Sequence, residues 1–191
     1  MLYQAPAEDI RTRRWVEGDF IQSRLGDPYY QILDVRSREE YLGETPNVGL
    51  DGQVLKLGHV PTAVNVDYRL NWTDSETKAF KSYQDLLELY RGLDPSRAII
   101  TYCHSARRSS FGYFTLRLMG FKDVRLYDGS WFEWGHPDLY YPVETRENRL
   151  AGTALPEIAA GGPTPRTGSK RMKDKGQRPE APKGGYVSCG G

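Results

Sequence analysis

Cysteine is the residue type of this chain that is best suited to do chemistry, and it occurs twice, as Cys103 and Cys189. Two thiols in 191 residues are too few for a disulfide framework. Such thiols are usually buried apolar fillers, a redox pair or a nucleophile. The chain has no Cys-x-x-Cys, and His59, His104 and His136 show no metal-ligand spacing. We therefore expect neither a metal nor a cofactor.

The residues around Cys103 favour the nucleophile. Cys103 follows the apolar run 98–102, and a helix is predicted about six residues later. At the carboxyl end of a parallel strand, backbone N–H groups and the dipole of the next helix favour a thiolate. Arg107 and Arg108 add positive charge. The loop supplies further candidates for substrate binding, namely His104, Ser105, Ala106, Arg107 and Ser109.

The alternative to a nucleophilic Cys103 is an inert thiol buried at the end of a strand. The polar and basic residues that follow Cys103 argue against it, because such a run is difficult to bury.

Alternating strand and helix patterns predict the fold that would position this loop. Four largely apolar runs indicate buried strands, at residues 30–35, 60–66, 98–102 and 124–127. Between them, apolar residues recur on one helical face, at Tyr83, Leu86, Leu87 and Tyr90 and again at Phe111, Phe114 and Leu118. This alternation predicts an α/β domain, with a parallel sheet covered by helices on both faces.

The composition changes near residue 150. Residues 151–191 hold nine of the twenty glycines, five of the twelve prolines, and seven Lys or Arg against three Asp or Glu. This composition cannot bury enough apolar surface to offset its ordering entropy. We therefore predict one domain over residues 1–150 and a flexible basic tail over 151–191, which ends in Cys-Gly-Gly.

The overall composition limits the classes of partner and compartment. The net charge of +1 does not indicate nucleic-acid binding, which usually requires a clearly basic domain. No apolar run approaches the ~20 residues that span a bilayer, and the first residues lack the apolar core of a signal peptide. We expect no nucleic-acid or membrane partner and a cytoplasmic location, or a periplasmic one if a signal peptide has been removed.

Four separated motifs over about residues 15–136 resemble the rhodanese family. Residues 32–41 (ILDVRSREEY) are similar to the family's first motif, and residues 58–65 (GHVPTAVN) to its Gly-His-Ile-Pro-Gly-Ala-x-Asn segment. Cys103 and Arg108 match the first and sixth positions of the family's active-site loop. Residues 128–134 (DGSWFEW) resemble the signature that closes the catalytic domain of thiosulfate and mercaptopyruvate sulfurtransferases.

The resemblance implies a rhodanese-like fold and a two-step covalent cycle. Cys103 would take sulfane sulfur from a donor such as thiosulfate or 3-mercaptopyruvate, and a thiophilic acceptor would remove it. The loop amides and Arg108 would stabilise the persulfide. Related phosphatases and arsenate reductases use Cys-x5-Arg, but here Ser109 stands at the Arg position. The shorter loop suits a terminal sulfur better than a phosphate-sized oxyanion.

Three further residues receive roles from the resemblance. Asp34 corresponds to an acidic residue that helps to hold the active-site loop, although it could equally cap the following helix. Glu40 stands where some thiosulfate enzymes carry a substrate-binding Arg. Ser105 is the type found in mercaptopyruvate sulfurtransferases, where some thiosulfate enzymes carry Lys. The loop is therefore mixed and leaves the donor open.

The remaining histidine and tryptophan candidates are more ambiguous. We expect His59 to support its own loop by hydrogen bonding, and His104 either to contact substrate or to be solvated. Trp131 and Trp134, at helical spacing, are expected in the core beneath the Cys103 loop.

A second hypothesis is a relay, in which the domain hands sulfur to a protein acceptor. It rests on Cys189, which lies near the end of a glycine-rich tail that could reach any point of the domain. The alternative is that Cys189 is an incidental thiol of no function.

Overall fold

The computed structural model describes residues 14–148, and these form an α/β domain around a five-stranded parallel sheet. The strands are β1 (Trp15–Val16), β2 (Tyr30–Asp34), β3 (Val64–Asn65), β4 (Ala98–Tyr102) and β5 (Val124–Tyr127). Their order is β1-β5-β4-β2-β3, so β4 is in the middle, and β2 and β4 are here called the two central strands. The two central strands pair in register from Tyr30 opposite Ala98 to Asp34 opposite Tyr102.

Helices cover both faces of the sheet. They are α1 (Gly18–Gln22), α2 (Arg38–Leu42), α3 (Tyr83–Leu89), α4 (Arg107–Leu118) and α5 (Ser130–Trp134), together with a short 3₁₀ helix (Tyr68–Asn71). Alternate residues of the strands point into two separate cores. Leu33 and Ile99 belong to the core on the α3 and α4 face, whereas Ile32 and Ile100 belong to the one beneath α1, α2 and α5. The predicted parallel α/β architecture is confirmed.

Two strand predictions need correction. The sequence did not reveal β1, because a two-residue edge strand has no periodicity to detect. Within residues 60–66 only Val64–Asn65 is a strand. Pro61 cannot donate to a ladder, and Thr62 adopts a φ of 66°, so the first half of the run is a turn.

The predicted inner faces of α3 and α4 were only partly right. Leu86 and Tyr90 are buried, but Tyr83 and Leu87 are largely exposed. In α4 the exposed fractions are 53% for Phe114 and 61% for Leu118.

Small residues, rather than the aromatic row, bring α4 against the sheet. Its buried residues are Ser109, Gly112, Thr115 and Leu116. A Cβ on Gly112 would lie 3.1 Å from Cγ1 of Val35, so glycine permits the close approach of α4 to the sheet. Hydrophobic periodicity does not detect a packing face made of Gly, Ser and Thr.

Residues 141–148 return to the core beneath α2 and α5. The indole N–H of Trp134 donates to the carbonyl of Pro142, and His59 and Glu144 exchange backbone hydrogen bonds. The amide of Asn148 donates to the hydroxyl of Tyr41. The predicted boundary at residue 150 and the tail with Cys189 lie outside the described residues. Within residues 14–148, no helix is long and apolar enough to cross a membrane.

Candidate active site

Cys103 follows β4 directly, at the carboxyl edge of the sheet and before the first turn of α4. Its side chain is fully buried, and its Sγ accepts a hydrogen bond from the hydroxyl of Ser109 at 3.6 Å. Ser109 is also buried, whereas Arg107 is exposed and the other loop residues are half-buried. The expectation that this run resists burial therefore holds only in part, and the thiol lies at the bottom of the Cys103 loop (residues 103–109).

The backbone of the Cys103 loop is held from one side by the start of α5. The hydroxyl of Ser130 accepts hydrogen bonds from the amides of Cys103 and Ala106. The amides of Trp131 and Phe132 donate to the carbonyls of Cys103 and His104. The first half of the loop, from Cys103 to Ala106, is thus fixed through α5.

Four other amides of the loop remain available to an anion. The backbone N–H groups of four residues donate no hydrogen bond within the described part of the chain, namely those of His104, Ser105, Arg108 and Ser109. Ala106 has a φ of 61° and precedes the first residue of α4. A left-handed residue followed by helical ones is the backbone pattern of an anion-binding nest.

Arg108 does not point a free charge at the site, because Glu40 binds it. The guanidinium donates to both carboxylate oxygens of Glu40, at 2.6 and 2.8 Å. Burial opposes the charge of Glu40, but the hydrogen bonds and charge of Arg108 outweigh it and lower the Glu40 pKa to about 2. Burial likewise opposes the charge of Arg108, yet Glu40 and then the nearby Cys103 raise its pKa.

His104 is held as a neutral ring at the edge of the site. Its Nε2 lies 3.2 Å from the carbonyl of Val48, which can only accept, so the proton is on Nε2. The ring also packs edge-on against Phe132 at 4.3 Å. Burial, followed by the charge of Arg108, lowers the pKa of His104.

Asp34 supports the site from the end of β2. It binds the guanidinium of Arg36 through both oxygens and accepts a hydrogen bond from the Tyr102 hydroxyl at 2.6 Å. Tyr102 is the residue before Cys103, so this contact ties the two central strands below the loop. The alternative role of Asp34 as a helix cap is wrong, since Ser37 caps α2 in a capping box with Glu40.

The family comparison agrees with this arrangement. The sequence profile described as "Rhodanese-like domain" matches residues 19–136. This chain belongs to the rhodanese-like family. It is 38% identical over 122 residues to the thiosulfate sulfurtransferase of Corynebacterium glutamicum, an alignment that covers 61% of this chain and 39% of that relative.

Other rhodanese-like relatives support the same placement. The sulfur carrier protein TtuD of Thermus thermophilus is 40% identical over 111 residues, which are 55% of this chain and 38% of that protein. The crystal structure of Tum1 from Saccharomyces cerevisiae is similar with a TM-score of 0.59 and 25% identity, over 71% of this chain and 48% of that one. This chain thus spans less than half the length of the relatives it matches.

The remaining sequence candidates lie mainly in the rhodanese core. His59 is buried, stacks on Tyr41 and lies 2.7 Å through Nδ1 from the Tyr41 carbonyl, which fits a supporting role. Burial lowers its pKa. Trp131 and Trp134 are buried as their spacing predicts. Trp131 contacts the Cys103 loop through its amide, while Trp134 stacks on Tyr141. Among residues 14–148, no cluster of His, Cys, Asp and Glu could hold a metal ion.

Sequence reasoning missed two residues that shape the site. Arg36 is completely buried, bridges Asp34 and the carbonyl of Gly58, and lies 4.2 Å from the ring centre of Trp131. The burial of Arg36 could have been predicted from its position two residues after Asp34, because a basic residue so close to a buried strand has few ways to reach water. Ser130 was visible only as one letter of a motif, and its hydroxyl contacts could not be read from it.

Proposed function

We propose that this chain is a sulfurtransferase that carries a sulfane sulfur atom as a persulfide on Cys103. The observation that carries the proposal is the Cys103 loop, which begins with the thiol and holds the four uncommitted amides described above. Such amides suit a small anionic sulfur, as an oxyanion hole suits oxygen. Relatives named thiosulfate sulfurtransferase support the same chemistry.

The proposed cycle has two displacements. The Cys103 thiolate attacks the sulfane sulfur of a donor such as thiosulfate, the donor's S–S bond breaks, and sulfite leaves with the electron pair. A nucleophilic acceptor such as cyanide then attacks the outer sulfur, and the Cys103 thiolate leaves. Because Cys103 is fully buried, entry of the donor requires some of the surrounding side chains to move.

The buried and half-buried groups around Cys103 offer a donor little net positive charge, and the remaining cation of the loop, Arg107, is exposed. Glu40 neutralises Arg108, Asp34 neutralises Arg36, and the lowered pKa of His104 keeps its ring uncharged at neutral pH. Anionic donors would therefore be bound mainly by backbone amides, with 3-mercaptopyruvate a second donor candidate beside thiosulfate.

Intact-mass measurement tests this proposal directly. After incubation with thiosulfate or 3-mercaptopyruvate, we expect a gain of one sulfur atom, about 32 Da, on Cys103. Cyanide should remove it and release thiocyanate. Cys103→Ser, nearly isosteric, should keep the fold and lose both reactions, while Cys189→Ser should still form the adduct at Cys103. Undiminished thiocyanate production by Cys103→Ser would refute the assignment.

A second candidate is a relay that delivers the sulfur to a protein acceptor. It is favoured by the similarity to a protein named as a sulfur carrier. In this version the tail cysteine, Cys189, would receive sulfur from Cys103 and pass it on.

A further inference from the structure

Ser130 links the start and the middle of the Cys103 loop to the sheet through one hydroxyl. The Ser130 Oγ accepts from the amide of Cys103 at 3.3 Å and from the amide of Ala106 at 3.0 Å. It donates to the carbonyl of Tyr127, the last residue of β5, at 2.8 Å. The residue is fully buried, so water does not replace these bonds.

The backbone of Ser130 is held in a conformation that serine disfavours. Its φ is 50°, and that of Ala106, to which it is hydrogen-bonded, is 61°. Glycine would occupy either position without steric strain. Strain of this kind persists where the surroundings over-determine the backbone, and it concentrates at functional sites. The presence of serine instead of glycine at this strained position is explained if the hydroxyl of Ser130 is needed.

The neighbouring backbone of α5 complements the hydroxyl. The amides of Trp131 and Phe132 bind the carbonyls of Cys103 and His104. At the beginning of the loop, the Ser130 hydroxyl thus binds backbone N–H groups, and the amides at the start of α5 bind backbone carbonyls. The donors left for a sulfur on Cys103 are the four uncommitted loop amides, those of His104, Ser105, Arg108 and Ser109.

We propose that Ser130 is a positioning residue for sulfur transfer. It binds the Cys103 and Ala106 amides and so fixes the loop in the form that presents its remaining amides to the persulfide. The inference rests on the proposed persulfide function. It assigns to Ser130 an indirect role, in which the residue acts through the loop amides and does not itself contact the substrate.

The test uses Ser130→Gly and Ser130→Ala in the full chain. Both remove the hydroxyl, but only Ala keeps the strain of a side chain at positive φ. We expect kcat for thiosulfate and cyanide to fall by about 10- to 100-fold in both, the effect of slightly misplaced reacting groups. The KM for thiosulfate should change less than about threefold, and Ser130→Gly should have the higher Tm. Ser110→Ala is the matched control, because the Ser110 hydroxyl bonds only the carbonyl of Arg107 in the described structure.

A second measurement separates this inference from the function on which it rests. The pH dependence of Cys103 alkylation by iodoacetamide needs no sulfur donor, and we expect slower alkylation at pH 7 in both Ser130 variants. Unchanged alkylation and wild-type kcat well below Tm would overturn the positioning role and leave a purely structural serine. If the wild-type protein takes up no sulfur on Cys103, the proposed function fails, whatever the alkylation rates show.

Discussion

The Glu40–Arg108 ion pair determines how much positive charge a sulfur donor meets beside Cys103. Arg108 reaches the site from α4, and Glu40 binds it from α2 with two short hydrogen bonds. A doubly charged donor has to share Arg108 with this carboxylate, which is ionised throughout the neutral range because its pKa is about 2.

Replacing the carboxylate should therefore improve the use of thiosulfate. In Glu40→Gln the amide can still accept a hydrogen bond from Arg108, but the negative charge is gone. We expect kcat/KM for thiosulfate to rise about three- to tenfold, mostly through KM, with a larger gain at low ionic strength. Glu39→Gln on the exposed side of the same turn is the control. An unchanged or higher KM in Glu40→Gln would mean that the pair positions Arg108 rather than screening it.

The same pair predicts how stability depends on pH. The Glu40 pKa falls from 4.5 to about 2 on folding, so its stabilisation is complete above pH 4.5 and is lost as the pH falls toward 2. Between pH 7 and pH 3 the loss should be on the order of 2 kcal/mol. Urea unfolding of wild type and Glu40→Gln at several pH values measures it. Their difference in unfolding free energy should shrink in acid, and a constant difference would contradict the assignment.

At this scale the sequence indicated the reacting residue but not the partners that set its surroundings. The position of Cys103 after an apolar run, with basic residues following, was enough to select the loop. The pairing of Glu40 with Arg108 joins residues 68 positions apart. No local spacing contains such a contact, and it becomes visible only when α2 and α4 are placed beside each other.

Among the structural elements, the turn before β3 carries a residue that its backbone does not suit. Thr62 stands where the resembling family segment has glycine, and its φ is 66°. A β-branched residue in this left-handed region costs about 1–2 kcal/mol, more than the extra chain entropy of glycine. Thr62→Gly should therefore raise the unfolding free energy by about 0.5–1 kcal/mol.

Chemical denaturation measures this effect, with turnover unchanged. Thr45→Gly is the matched control, since Thr45 is exposed and has no positive φ, and it should destabilise the protein by a similar amount. A loss of stability in Thr62→Gly would show that the contact of its amide with Glu144 depends on the threonine side chain.

Element types could be read from the sequence more reliably than element faces. Strands β2 and β4 were visible because parallel strands buried on both sides are largely apolar, and β5 was visible as a shorter run that contains Arg125. The inner face of α4 was misassigned because Phe111, Phe114 and Leu118 form a helical row. Phe111 and Phe114 pack instead beside Phe80, and the row stays partly exposed. Packing by small residues leaves no hydrophobic signal.

For the whole molecule, the relay proposal makes a prediction about the segment after the described domain. A flexible tether raises the effective concentration of its end to the millimolar range. Truncation after Leu150 and Cys189→Ser should therefore keep sulfur loading of Cys103 and thiocyanate formation. They should slow transfer to a protein thiol acceptor by about tenfold. Equal behaviour of full-length protein and both variants with small and protein acceptors would exclude the tail from sulfur delivery.

Because residues 141–148 return to the core, the folded domain ends later in the chain than the family match does. The family match ends at His136, and the residues proposed for sulfur loading at Cys103 all lie before that point. Yet the backbone of Glu144 pairs with that of His59, and a Cβ on Gly58 would collide with the Glu144 carbonyl. A fragment cut at residue 136 would keep every residue proposed for sulfur loading at Cys103 but would lose part of the fold. The segment that the family profile matches is thus shorter than the segment that packs into this domain.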